Sequence, residues 1–157
     1  MASGTMTIET VKAFFSARAP DISVIETAVS SATVGMAAAA HRCLPEEIAK
    51  TICLRVGDVV LLVVMSGTAR LDNRKSRDTF GGKPRMLAGD EVVSLTGQPV
   101  GGVCPFGLAT PLPVYCDVSL RSFDEVIPAA GGINAAVRIA PQRMAELVGA
   151  EWVDVCQ

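Results

Sequence analysis

The segment "TICLRVGDVVLLVVM", residues 51–65, constrains the fold more than any other part of the chain. Two β-branched and aliphatic runs flank Gly57-Asp58, the signature of a hairpin with a two-residue turn. The second run, "VVLLVVM" at 59–65, has no polar side. A strand that is apolar on both faces belongs inside a sheet with cover above and below. It is also far too short to span a bilayer, which takes roughly 20 apolar residues.

The cover has to come from the rest of a chain of 157 residues, the size of one domain. Thr7 is placed to cap a first helix reaching Arg18, with Ile8, Val11, Phe14 and Phe15 on its apolar side. "ISVIETAV" (22–29) has the pattern of a strand. Thr33 is a good N-cap for the alanine-rich "VGMAAAAHR", and Pro45 suits the first position of a short helix, "PEEIAK". After the hairpin, the segment from Asp72 to Gly81-Gly82 is expected to be helical. Asp90 and Gly97 bracket another helix, "EVVSL". Strands are expected at "PVYCDV" (113–118), "EVIPA" (125–129), "AAVRIA" (135–140) and "EWVDV". A helix between Pro141 and Gly149 precedes the last of these. No regular βαβ succession appears, so the expected fold is α+β: a mixed sheet with helices packed around it.

Composition removes several classes of function. Half of the residues are hydrophobic and 19% are charged, which excludes a disordered chain. "MASGTMTIETVK" lacks a basic patch followed by an apolar stretch, so no signal peptide and a cytoplasmic location are expected. Five cysteines at irregular spacing, with no C-x-x-C, suit that compartment and argue against a disulfide framework or a zinc site. The single histidine, His41, has no H-x-x-x-H or carboxylate cluster around it, so neither a resident metal nor a histidine-based triad is expected. The net charge of −2 opposes sequence-blind nucleic-acid binding. Locally, however, Arg70, Arg74, Lys75 and Arg77 outnumber Asp72 and Asp78. This is either a solvated helix face or a face for phosphates.

"GQPVGGVCPFG", residues 97–107, is the second unusual stretch. Glycine bares the main chain and proline stiffens it, while Val100, Val103, Cys104 and Phe106 make the segment too apolar for a linker. It reads as a shaped loop packed on a core, with amides free to point at a ligand. Cys104 lacks a partner base and reads first as a small apolar loop residue. No Walker or dinucleotide-binding glycine pattern is present. Lys50, just ahead of a β-branched strand, and Asp117, in an apolar one, are the remaining charges of interest. Each is either a solvent-facing residue or part of a site, and Lys50 is a candidate partner for Asp117.

"PEEIAKTICLRV", "LTGQPVGGVCPFGL", "LPVYCDVSL" and "AAGGINAAVRIAP" follow one another in this order. With them the chain resembles the YbaK/ProX family, free-standing relatives of the editing insertion of bacterial prolyl-tRNA synthetase, over about residues 22–155. The most specific elements are "IAKT", carrying Lys50, and the G-x-x-x-P loop from Gly101 to Pro105. The resemblance implies a single editing domain over 1–157, with a mixed α/β fold around a curved, barrel-like sheet and no cofactor. It implies an aminoacyl-tRNA deacylase that hydrolyses a wrong amino acid from tRNA, with tRNA(Pro) the expected substrate and prolyl-tRNA synthetase a possible partner.

In that reading Lys50 and the loop Gly101, Gly102, Val103, Cys104 and Pro105 form the catalytic group. An aminoacyl ester is already activated, so positioning and donors aimed at developing negative charge suffice. Lys50 would contact phosphate or hydroxyl oxygens of the terminal adenosine, whose own 2′-hydroxyl could activate the water. Thr33, Met36, Ala37, Asp117, Gly131, Gly132 and Asn134 fall at substrate-binding positions of the family pattern. Thr33 and Met36 are equally explicable as cap and core residues, and Asn134 as a turn residue. Arg70, Arg74, Lys75 and Arg77 would meet the tRNA.

Family members that favour alanine often carry Asn-His in the second loop, and those that favour cysteine carry Arg-Gly; "GGINAA" has neither. The departures point to a branch clearing alanine or 2-aminobutyrate, with cysteine, serine and threonine as alternatives. A non-catalytic module binding aminoacyl-adenosine, tRNA or a synthetase, and an unrelated thiol enzyme using Cys104, are the competing classes.

Overall fold

The structure is a computed structural model, described here for residues 3–157, with side chains from Ile8 onward. The hairpin lies at its centre. β2 (Ile48–Val56) and β3 (Val59–Ser66) pair antiparallel through Gly57-Asp58, in register from Val56↔Val59 to Ala49↔Ser66. β5 (Val114–Asp117) adds to β3 in parallel, and β8 (Glu151–Val153) adds to β5 in parallel. On the other side β2 is met at its two ends by very short strands. β6 (Ile127–Pro128) runs parallel to Ile48 and Ala49, and β4 (Arg85–Met86) runs antiparallel to Leu54 and Arg55. A separate two-residue pair joins β1 (Ile25–Glu26) to β7 (Ala135–Ala136).

The apolar strand β3 is buried on both faces, as its sequence demands. Leu62 and Val64 enter a large cluster with Val11 and Phe15 of helix α1 (Ser3–Arg18), Phe106 of the glycine loop, and Met144 and Ala145 of helix α5 (Pro141–Val148). Leu61, Val63 and Met65 face a second cluster with Val153, Val155 and Cys156. Alternation along one strand thus builds two cores.

The α+β class holds, but the sheet is open: its ordered path ends at β4 and β8, which do not pair, so it is not a barrel. Several boundaries also differ from expectation. Thr7 lies inside α1, which starts at Ser3. The 22–29 segment contributes only the two residues of β1. Beyond them Thr27 N–H and Ser31 N–H go to the carbonyls of Asn134 and Ile133, so loop contacts replace a ladder.

"PEEIAK" is one 3₁₀ turn, Pro45–Glu47, because Ile48 and Ala49 already pair with β6. Lys50 is therefore the third residue of β2 rather than a helix-to-strand junction. Helix α2 (Val34–His41) is capped by Thr33, whose Oγ1 accepts Met36 N–H at 3.1 Å. Helix α3 (Asn73–Phe80) is capped by Asp72 and closes at Gly81. Helix α4 (Gly89–Thr96) closes at Gly97 as expected, but it starts behind Ala88, leaving Asp90 in the first turn rather than at the cap. No helix of the described residues is long and apolar enough to cross a membrane.

Candidate functional site

The two short strands on the outer edge of β2 leave a gap between them. β6 covers residues 48–49 and β4 covers 54–55, so the stretch from Lys50 to Cys53 has no strand beside it. A cavity of ≈ 370 Å³ opens over this gap. One end is walled by small residues, among them Thr33, Ala37, Ala129 and Ala136. The other is bordered by Met86, Leu87, Val92 and Val100, of which Met86 and Val100 are 69% and 62% exposed. Lys50, Gly101 and Val103 also line it.

Gly101 to Pro105 is not an open turn. Gly101 has φ of 90°, which a side chain tolerates poorly, and a Cβ there would sit 2.8 Å from the Ala32 Cβ. Gly102 lies against the second glycine loop: its carbonyl accepts Gly131 N–H at 3.0 Å, and a Cβ on it would meet the Gly132 carbonyl carbon at 2.6 Å. Gly132 in turn presses on Ile8. The two loops are thus packed main chain to main chain. That is the physical use of Gly131 and Gly132, which do not line the cavity themselves.

Not all of the loop amides expected to be free are free. Gly102 N–H donates to Pro99 O at 2.9 Å and Cys104 N–H to Gln98 Oε1 at 2.8 Å. Among the described residues the amides of Gly101 and Val103 have no protein acceptor. Cys104, Pro105 and Phe106 are buried beneath the loop.

Gln98 organises this arrangement, and sequence reasoning missed it. It is 2% exposed, accepts from Cys104 N–H, and donates through Nε2 to Phe106 O at 2.8 Å. The available signal was an amide side chain between Gly97 and Pro99 in an otherwise apolar loop. Gln98→Leu leaves the buried Cys104 N–H unpaired and the Phe106 carbonyl with only the weak Cys104 thiol donor at 3.7 Å, and is expected to cost about 3 kcal/mol of stability. A urea midpoint equal to that of the native chain would remove Gln98 from this role.

Lys50 is half-buried, and its ammonium donates to Gly67 O at 3.0 Å and Ala69 O at 2.7 Å. An ammonium has three N–H groups, so one remains. Burial lowers its pKa, opposed by the Cys156 thiol and assisted by Arg70. Lys50 does not pair with Asp117, contrary to the suggested partnership. Asp117 is 1% exposed and spends its carboxylate on Val155 N–H at 2.8 Å and Ser119 N–H at 2.9 Å, which ties β5 to the segment after β8. It lies outside the cavity lining, as do Met36 and Asn134. Met36 is 42% exposed, and Asn134 Nδ2 donates to Thr27 O at 3.1 Å, a tie across the second loop.

The cysteine and histidine chemistry is muted. Burial pushes the Cys104 thiol up to about 12, so it carries no thiolate at neutral pH. His41 is buried, and burial together with Arg138 lowers its pKa. Among the described residues no three His, Cys, Asp or Glu side chains gather as a metal-ligand set. Arg70, Arg74 and Arg77 are exposed on and beside α3, whereas the Lys75 ammonium is held by Asp154 Oδ1 at 3.1 Å and Cys156 O at 2.9 Å.

Residues 29–147 match the aminoacyl-tRNA editing domain. The uncharacterized protein YwhH of Bacillus subtilis (strain 168) is 44% identical over 154 residues, 97% of this chain and 98% of that protein. A solved structure described as "a putative trans-editing enzyme for prolyl tRNA synthetase" superposes with a TM-score of 0.89 at 32% identity, over 96% of this chain and 97% of that one. The hypothetical protein APE2540 gives a TM-score of 0.87 at 31% identity, over 94% of this chain and 99% of that one.

Proposed function

Because the chain belongs to the aminoacyl-tRNA editing domain family, we propose that it acts in trans as an aminoacyl-tRNA deacylase. It removes a wrongly attached small amino acid, alanine or 2-aminobutyrate, from the terminal adenosine of tRNA(Pro). The observation that carries this reading is the single cavity lined by Lys50, by Gly101 and Val103 with their unpartnered amides, and by the small side chains of Thr33, Ala37 and Ala136.

The ester carbonyl oxygen gains negative charge as water adds, and the amides of Gly101 and Val103, which have no protein acceptor among the described residues, are the donors that would receive it. The spare N–H of Lys50 holds a phosphate or hydroxyl oxygen of the terminal adenosine as a point charge. The 2′-hydroxyl of the same ribose accepts the proton of the attacking water. The bond between acyl carbon and ribose 3′ oxygen breaks, and the proton passes to that oxygen. The products are a free amino acid and a deacylated tRNA. No side chain has to act as a strong base, because the aminoacyl ester is already labile.

Size sets the choice of amino acid. The small end of the cavity admits a methyl or ethyl side chain, and one methylene is worth only about 1–3 kcal/mol of discrimination. Single-turnover deacylation of tRNA(Pro) carrying alanine, 2-aminobutyrate, cysteine, serine, threonine or proline tests the reading. Fastest release is expected for alanine or 2-aminobutyrate. A preference for cysteine or threonine overturns the size argument, and release of none overturns the activity.

Arg70, whose charge acts on Lys50, and the exposed Arg74 and Arg77 of α3 would together meet the phosphate backbone. Changing Arg70, Arg74 and Arg77 together to Glu is expected to raise KM for full-length tRNA about tenfold and to flatten its salt dependence. An unaltered salt dependence removes this face from the tRNA path.

A further inference from the structure

The gap in the edge of β2 carries a recognition pattern of its own. The Cys53 carbonyl accepts Leu87 N–H at 3.5 Å, so the backbone groups of Cys53 point away from β3. Backbone direction repeats every second residue along a strand. The N–H and C=O of Thr51 therefore point the same way, into the gap where the cavity lies. β6 stops at Ala49 and β4 starts at Leu54, so no strand pairs with them. The edge offers an acceptor, Thr51 C=O, followed by a donor, Cys53 N–H. Beside it the Thr51 hydroxyl oxygen is buried with no partner. Buried main-chain groups are rarely left unpaired, and an unpaired strand edge takes up groups that complete its hydrogen bonds.

We propose that this edge is an adenine subsite. The Thr51 carbonyl accepts a hydrogen bond from the N6 amino group and the Cys53 amide donates one to N1, so the strand edge reads the Watson–Crick side of the base. The flat ring lies against the apolar end of the cavity, at Met86, Leu87 and Val92. The proposal rests on the reading that the cavity takes an aminoacyl ester of tRNA, whose esterified nucleoside is an adenosine. The ribose, held on the side of Gly101, Val103 and Lys50, fixes which way round the base lies. In that orientation adenine presents donor then acceptor to the edge, whereas hypoxanthine presents acceptor then donor, which would set carbonyl against carbonyl. The base at one end and the amino acid at the small-residue end would put the ester between them, near Gly101, Val103 and Lys50.

Two measurements decide it. The first is deacylation of tRNAs chemically charged with the same amino acid and ending in adenosine, inosine or 7-deaza-adenosine. Inosine is expected to lose at least about tenfold in kcat/KM, because a site built to hydrogen-bond one pattern rejects its inverse. 7-Deaza-adenosine, which keeps the Watson–Crick side, is expected to match adenosine. The second is titration of ¹⁵N-labelled protein with AMP or IMP. AMP is expected to shift the Thr51 and Cys53 amide resonances, and IMP to leave them in place. Equal hydrolysis of the adenosine and inosine esters, or AMP shifts that miss Thr51 and Cys53, overturns the subsite and leaves the deacylase reading standing. If no ester is hydrolysed, the deacylase reading fails, and the AMP and IMP titrations still decide the subsite.

Discussion

Lys50→Ala is expected to lower kcat/KM for a mischarged tRNA by about a hundredfold, the scale on which removal of one preorganised donor is felt. The two carbonyls that the ammonium occupies lie just after β3, on buried Gly67 and half-buried Ala69, so a urea midpoint measured alongside separates lost stability from lost activity. The pH dependence separates a charge effect from a packing effect. Burial and Arg70 lower the pKa of Lys50 from its ordinary 10.5, with the Cys156 thiol pulling the other way. The ammonium is charged below its pKa and neutral above it. Activity that depends on the charge is therefore lost as pH rises, and the loss begins at lower pH than for a solvent lysine. Lys50→Ala should abolish that alkaline limb, and Lys50→Arg should restore the charge without the compact geometry. A loss smaller than about threefold, or an alkaline limb that persists in Lys50→Ala, contradicts the role.

Gly102→Ala is expected to be strongly destabilising. Its Cβ would sit 2.6 Å from the carbonyl carbon of Gly132 and 2.8 Å from that residue's Cα and N. These are backbone atoms and cannot rotate aside, and Gly132 is already held against Ile8. The two glycine loops must separate, breaking the bond from Gly131 N–H to Gly102 O. A destabilisation of about 3 kcal/mol is the expected scale for forced overpacking. Deacylation should fall with it, since the Gly101 and Val103 amides lose their mounting. Gly35→Ala is the control: a Cβ there meets nothing within 4 Å, and a helical alanine is favoured over glycine by up to about 1 kcal/mol. Urea denaturation of both variants checks the pair. A Gly102→Ala midpoint close to that of the native chain would show that the loops are not locked together.

The parts of this fold legible in the sequence are those set by local chemistry. The hairpin, the Thr33 and Asp72 caps, the glycines that end α3, α4 and α5, and the double burial of β3 each follow from a few adjacent residues. What was not legible depends on partners distant in the chain. β4 is two residues long, with no periodicity to read, and β6 is only the middle of the strand expected over "EVIPA"; both are set by the edge that β2 offers. The cavity is the space between them, so no stretch of sequence encodes it.

The glycine loop was legible as a shaped element, but not the side of it that faces inward. Gln98 reaches across six residues to fix Cys104, and this consumes an amide that the bare sequence left open. Asp117 was noticed as a carboxylate in an apolar strand, and its use as an acceptor for two main-chain amides needs the chain after β8 to be in place. Lys50, Gly101 and Val103 are separated by about fifty positions and meet at one cavity. The family resemblance grouped them before any geometry did.

Release of labelled alanine from alanyl-tRNA(Pro), followed with protein in excess over tRNA, tests most directly whether this cavity cleaves an aminoacyl ester. First-order release well above the spontaneous rate, and strongly slowed in Lys50→Ala, is the expected result. Release at the spontaneous rate, while the same protein binds the tRNA, would mean that the site recognises the ester without hydrolysing it.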